Sequence, residues 1–162
     1  MAQEIKRNNW SRFCKRFSSS NQYRQTTMFL SDSTDKKSLS FDPFMGMTLT
    51  KKGRLIDGIR IYAGGLNPDT VLEPVVTLKD PEKILVEKTN DGQERRLNIT
   101  CKDGTEVNIN IAESDEQTGF KTLTRRIAYG LFERGGYHNG NDMGDWFAAE
   151  ERVREAASQL AE

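Results

Sequence analysis

The residues able to do chemistry are few. The single histidine, His138, stands beside Tyr137 in a Gly/Asn-rich stretch, with Asp142 and Asp145 close behind it. A histidine works as a general base only with a nucleophile or an orienting carboxylate in reach. The two aspartates are better placed at the start of a helix, Asp142 as its N-cap and Asp145 as a capping-box partner, where the helix dipole favours negative charge. Asp142→Asn should then be almost silent, because asparagine caps as well. Cys14 and Cys101 are far apart in sequence. They read as two reduced thiols, one on a helix face and one in a strand, with a disulfide as the other reading. One histidine and no paired-cysteine spacing provide no metal-ligand set. Gly64-Gly65 is followed by no lysine-serine pair and no helix start, so it reads as a turn and not as a phosphate loop. No catalytic, cofactor-binding or metal residue is therefore expected.

Charge is the remaining resource. The chain has 24 Lys+Arg against 24 Asp+Glu, a formal net charge of zero, which is not the balance of a protein built to hold nucleic acid. The placement is uneven, however. Lys6, Arg7, Arg12, Lys15, Arg16 and Arg24 crowd the first part of the chain against Glu4. Asp142, Asp145, Glu150, Glu151, Glu155 and Glu162 dominate the last part against Arg152 and Arg154. The candidate interaction residues are thus Arg12, Lys15 and Arg16, the pair Arg125 and Arg126, and Tyr137, His138 and Trp146. An internal or subunit contact between the basic and acidic surfaces is expected, in preference to a nucleic-acid site.

The elements that must position these groups follow from periodicity. Trp10, Phe13, Cys14 and Phe17 recur at helical spacing from a start near Asn9, and the Ser18–Asn21 run ends that helix. Residues 24–112 read as about seven short strands. Thr26–Leu30 is the first and Ser31–Lys37 a polar loop after it. Met45 to Leu49, Ile59 with Ile61, and Leu72–Leu78 follow, and then three strands around Ile84/Val86, Leu97–Cys101 and Val107–Ile111. Asn90-Asp91-Gly92 and Asp103-Gly104 turn the last three into an antiparallel meander, the latter as a two-residue turn with positive φ at both positions. Asn98, Thr100, Asn108 and Asn110 should line its wet face. The strands suggest a curved sheet or a small barrel, with Trp10, Phe13 and Phe17 plugging an open end.

A polar linker over residues 113–119 leads to two helices over residues 120–162. Phe120, Leu123, Ile127 and Leu131 form the apolar stripe of the first, which stops at Gly135-Gly136. Trp146, Ala149, Val153, Ala156 or Ala157, and Leu160 form that of the second, with Trp146 expected to be buried against Leu131, Phe132 or Ile127. Ala128-Tyr129, Glu133, Gly135, Gly140, Asp145-Trp146 and Ala149-Glu150 make this segment resemble a bacterial helix-pair family, domain of unknown function 2934. The resemblance implies a fold and a bacterial origin, and no activity. Trp10 with Phe13 and Phe17, Asp80-Pro81 before Ile84, and Leu97 through Asp103-Gly104-Thr105 make residues 1–112 similar to a second bacterial family, domain of unknown function 5335.

The expectation is an α+β protein: an N-terminal helix with an antiparallel curved sheet or small barrel over residues 1–112, and a helical hairpin over residues 120–162. No apolar run approaches the ~20 residues of a membrane span, and the N-terminus lacks the apolar core of a signal peptide, so a cytoplasmic location is expected. The function expected is a non-enzymatic bacterial interaction or adapter module with an unknown protein partner. A nucleic-acid-binding module using the basic first helix is the alternative, and an enzyme built around His138 ranks last.

Overall fold

The helical spacing of Trp10, Phe13, Cys14 and Phe17 does what it implies. In the computed structural model, which describes residues 2–32, 36–41, 43–63, 74–112, 116–134 and 142–161, helix α1 (Trp10–Asn21) buries all four. The Trp10 indole donates to the Ile5 carbonyl at 2.9 Å, which ties the N-terminal segment to the helix. A 3₁₀ turn, Arg7–Asn9, leads into α1, and the Arg7 guanidinium lies 4.7 Å above the Trp10 ring.

Nine strands are found among the described residues: β1 (Gln3–Glu4), β2 (Thr26–Ser31), β3 (Lys36–Phe41), β4 (Phe44–Lys52), β5 (Leu55–Ala63), β6 (Val76–Lys79), β7 (Pro81–Lys88), β8 (Glu94–Cys101) and β9 (Glu106–Ile111). They form two antiparallel sheets, one of six strands in the order β1-β7-β8-β9-β2-β3 and one of three in the order β4-β5-β6. No barrel closes, which corrects the barrel alternative. The expected polar loop over Ser31–Lys37 contains the start of β3 instead. As the edge strand of its sheet, β3 tolerates a Lys36-Lys37 pair that a central strand would not. The strand expected over Leu72–Leu78 begins only at Val76, and residues 64–73, with Gly64-Gly65, lie outside the described set.

The inner faces of both sheets share one core with α1. Met28, Ile84, Val86, Leu97, Ile99, Val107 and Ile109 come from the larger sheet, and Phe44, Met47, Ile59, Ile61 and Leu78 from the smaller. Phe17 sits edge-on to Phe44 with ring centroids 5.7 Å apart, so helix and smaller sheet meet through an aromatic pair.

The chain enters the smaller sheet between β3 and β4 and returns to the larger one at a single residue. Asp80 separates β6 from β7 in a left-handed backbone conformation, φ 50°. Its N–H donates to the Asp57 carbonyl and its carbonyl accepts from the Lys102 N–H, so the corner is bonded on both sides. Aspartate tolerates this conformation, whereas a β-branched residue meets its full steric cost. Asp80→Gly should therefore change stability by less than about 1 kcal/mol, while Asp80→Val should cost about 1–2 kcal/mol. Urea midpoints of the two variants test this, and equal midpoints would remove the conformational account.

Both tight turns of the meander differ from the two-residue geometry expected at Asp103-Gly104. Gly104 alone has positive φ, 91°, and its N–H donates to the Cys101 carbonyl while Cys101 N–H donates to Thr105. That is a three-residue loop closed by a left-handed glycine. Gly92, φ 77°, closes the Thr89–Gln93 turn with the same two bonds.

Helix α2 (Glu116–Arg134) starts inside the stretch expected to be a linker, and α3 (Asp142–Ala161) follows it. The two pack on each other. They also dock on the outer side of the smaller sheet, where Ile127, Ala149, Val153 and Ala156 bury Met45 and Tyr62, with Tyr23, Ala128, Leu131 and Ala157 around them. The layers run, in order, larger sheet, shared core with α1, smaller sheet, helix pair. No helix among the described residues is long and apolar enough to cross a membrane.

Candidate functional site

One sheet face is left uncovered by the described residues. Side chains alternate across a strand, so the residues between the buried ones of the larger sheet all project to its outer side. The pairing register assembles them into three rows across the strands. The middle row is Glu4, Leu85, Asn98, Asn108, Phe29 and Ser38. On one side of it run Glu87, Arg96, Asn110 and Thr27, and on the other Lys83, Thr100, Glu106, Ser31 and Lys36. The expected wet-face residues Asn98, Thr100, Asn108 and Asn110 are all here, at the centre.

Two features make this face more than a solvated surface. Phe29 lies on β2, between β9 and β3, yet is 45% exposed. Around it the surface dips into three adjoining depressions. One of about 350 Å³ is lined by Phe29, Leu85, Arg96, Asn98 and Asn108 among others. A second contains Thr27, Arg96 and Asn110, and a third Phe29, Lys36, Glu106 and Asn108. Shared residues join them into one shallow trough that crosses the strands.

The polar groups in the trough are partly pre-positioned. Asn98 Nδ2 donates to Asn108 Oδ1 at 2.7 Å and also to Glu106 Oε1, and Thr100 Oγ1 donates to Asn98 Oδ1 at 3.3 Å. The amide of Asn98 is thereby fixed. Among the described residues nothing accepts from Asn108 Nδ2, and the Asn110 side chain makes no hydrogen bond, so both offer bonding capacity outward.

The candidates drawn from charge fall elsewhere and do not converge. Arg12 and Lys15 are exposed on α1 and, among the described residues, have no carboxylate partner. Arg16 forks onto Glu94 of the β7–β8 hairpin, Nε to Oε1 at 2.9 Å and Nη2 to Oε2 at 3.1 Å. No ion pair joins α1 to α3 among the described residues. Arg154, bonded to Glu150 at 3.0 Å on its own helix, faces Tyr23 just beyond the end of α1. Helices α1 and α3 lie in contact, and among the described residues the ion pair of α1 is made with Glu94 of the sheet. Arg125 and Arg126 are exposed on α2. Tyr137 and His138 lie outside the described residues, and so does the side chain of Asp142, the first residue of α3.

Trp146 is half-buried, and the pair is centred on Ile127, Ala149, Val153 and Ala156. The small alanines let the helices approach closely, which leaves the indole at the flank of the seam. Trp146→Ala should accordingly cost about 1–3 kcal/mol, below the ~3–5 kcal/mol of an enclosed aromatic. Trp10 is 1% exposed, so Trp146→Phe should also move the tryptophan emission to shorter wavelength. An unshifted spectrum would show Trp146 to be enclosed after all.

Both thiols are free and buried. Burial pushes Cys14 up to about 12, and burial followed by the charges of Asp103 and Asp80 pushes Cys101 up to about 11, so neither is a ready thiolate.

Fold and surface together define an α+β domain of two antiparallel sheets, one face of which is open, with a helix pair docked on the far side. Residues 125–154, most of that helix pair, match the model of a family described as a protein of unknown function (DUF2934). No curated protein and no solved structure matches the chain.

Proposed function

We propose that the chain is a non-enzymatic interaction module of the bacterial cytoplasm that holds its partner on the open face of the six-stranded sheet. The observation that carries this reading is the placement of Phe29. An aromatic ring in the interior of a sheet, half out in solvent and flanked by outward-facing amides, is a surface arranged for contact. The resemblance of the helix pair to domain of unknown function 2934 supports a bacterial origin.

The test places a large charge in the centre of the trough. Asn108 is partly exposed, so Asn108→Arg should leave the circular dichroism spectrum and melting temperature unchanged. It should abolish recovery of whatever the wild-type protein retains from native cytosol. Undiminished recovery would move the site elsewhere. Substrate turnover that a single polar substitution abolishes would overturn the non-enzymatic reading.

A second reading rests on Arg12 and Lys15, whose charges are unpaired among the described residues. With Lys6, Arg12 lines a depression of about 340 Å³ beside α1. Phosphate binding there would weaken steeply with salt. Tight, salt-sensitive retention of single- or double-stranded DNA, lost in Arg12→Glu, would put this reading first.

A further inference from the structure

We propose that the open face binds an uncharged oligosaccharide chain, with one sugar ring seated on Phe29. This rests on the reading above and adds the chemistry of what is held.

Charge is the first argument. The three rows carry Glu4, Glu87 and Glu106 against Lys83, Arg96 and Lys36, so the face has no net charge. Its opposite signs alternate: Glu87 lies directly across from Arg96 on one side of the middle row, and Glu106 follows Lys83 and Thr100 on the other. A polyanion finds no field here to draw it in, because nucleic-acid sites depend on accumulated positive charge. An uncharged ligand suits a balanced surface.

Composition is the second. Protein interfaces have an apolar core, and the middle row of this face offers, among the described residues, only Phe29 and Leu85. An added peptide strand would need a free sheet edge for its backbone, whereas the trough lies across paired central strands. What the trough has in quantity is planar polar groups, the amides of Asn98, Asn108 and Asn110 and the guanidinium of Arg96. The Asn110 amide presents a donor and an acceptor side by side, which matches two neighbouring sugar hydroxyls, and Asn108 adds the Nδ2 donor that Asn98, itself bonded within the trough, holds in place. The exposed ring supplies the complementary element, an apolar plate with a negative face on which the C–H side of a pyranose can lie.

Shape is the third. The depressions are shallow and run together across β8, β9 and β2, the form of a track for a chain and not of a pocket that encloses a small molecule. Neighbouring strands lie about 4.8 Å apart, close to the length of one pyranose unit, so successive sugars would meet successive strands.

The experiment is a titration of the full chain with maltohexaose, cellohexaose and chitohexaose. It is followed through the side-chain amide resonances of Asn98, Asn108 and Asn110 and repeated with Phe29→Ala, an exposed position whose loss leaves the core intact. Saturable shifts of these resonances with at least one of the three, weakened tenfold or more in Phe29→Ala, are the expected result. If no hexaose moves them but single-stranded oligonucleotides or a peptide mixture does, the sugar assignment is overturned and the face stands as a binding surface for another ligand. If a hexaose binds equally well to Phe29→Ala, the assignment is also overturned, because the ring is then idle. If neither sugars, oligonucleotides nor peptides shift these amides, both the assignment and the open-face reading fall.

Discussion

Phe17→Ala is expected to cost about 3–5 kcal/mol, the largest effect of any single truncation considered. Phe17 is fully buried and stands where three elements meet: it contacts Phe13 on its own helix at 5.6 Å, Phe44 at 5.7 Å, and lies in the core that the two sheets share. Truncation removes the ring's transfer free energy and leaves a cavity walled by both sheets, which are held apart by their own hydrogen bonds and cannot collapse into it. Against a typical total of 5–15 kcal/mol, that is a large fraction. Phe17→Leu should cost less, because it keeps most of the volume. Urea denaturation followed by far-ultraviolet circular dichroism gives both numbers. A loss under about 1 kcal/mol for Phe17→Ala would mean that α1 does not hold the two sheets together.

Arg95→Ala should cost about 2–4 kcal/mol for a different reason. The Arg95 side chain is buried where α1 ends. Its Nη1 donates to the Ser20 carbonyl at 3.1 Å and to Asn21 Oδ1 at 2.7 Å, and its Nε donates to Asp91 Oδ2 at 3.0 Å. The Asn21 amide in turn donates to the carbonyls of Phe17 and Glu94 at 2.9 Å each. Arginine thus satisfies carbonyls at a helix C-terminus and fixes the β7–β8 turn with the same fork. Alanine removes the donor from all three acceptors, one of which belongs to the fully buried Asn21. Arg95→Lys should recover only part of the loss, since a point charge cannot reproduce the fork.

The same cluster carries a pH signature. Hydrogen bonds from the Thr89 hydroxyl and the Gln93 N–H, helped by Arg95, hold Asp91 down to about 2 from an ordinary 3.8. A carboxylate whose folded value is depressed adds stability that is complete above the unfolded value and is lost as pH falls towards the folded one. Asp91→Asn should therefore be less stable than the wild type at neutral pH, with the difference shrinking between pH 4 and pH 2. A gap that persists at pH 2 would assign the effect to packing and not to charge.

How much of this was legible in the sequence depends on whether neighbours or distant partners decide the outcome. Helix α1 and the strands β7, β8 and β9 were legible, because their apolar residues recur with one clear period and tight turns join them. The wet row of asparagines followed from the same alternation. The edge strand β3 was not, since Lys36-Lys37 reads as loop until the strand is known to lie at an edge. Nor was the exposure of Phe29. In Thr26-Thr27-Met28-Phe29-Leu30, either Met28 or Phe29 could have faced the core, and only the pairing of Phe29 with Asn108 decides it. Trp146 shows the limit for helices, where an apolar stripe gives a direction but not the width of the seam. The trough joins residues from β7, β8, β9 and β2 that no spacing in the chain connects. Two sheets instead of a barrel depended on which strands pair, since the chain changes sheet both between β3 and β4 and at Asp80.

The pairing of β2 with β9 has a consequence for the newborn chain. About 75 residues separate Ser31 from Glu106, and β9 is the partner that places β2 inside the larger sheet. At roughly 5–20 residues per second of synthesis, the ribosome emits β2 several seconds before that partner exists. Throughout that interval Met28, which ends fully buried, and the aromatic stripe of α1 have no larger sheet to cover them. The β2–β3 hairpin can form early, but it presents an unpaired edge to anything nearby. A nascent chain stalled before residue 106 should recruit holdase chaperones, and one extended past residue 111 should release them.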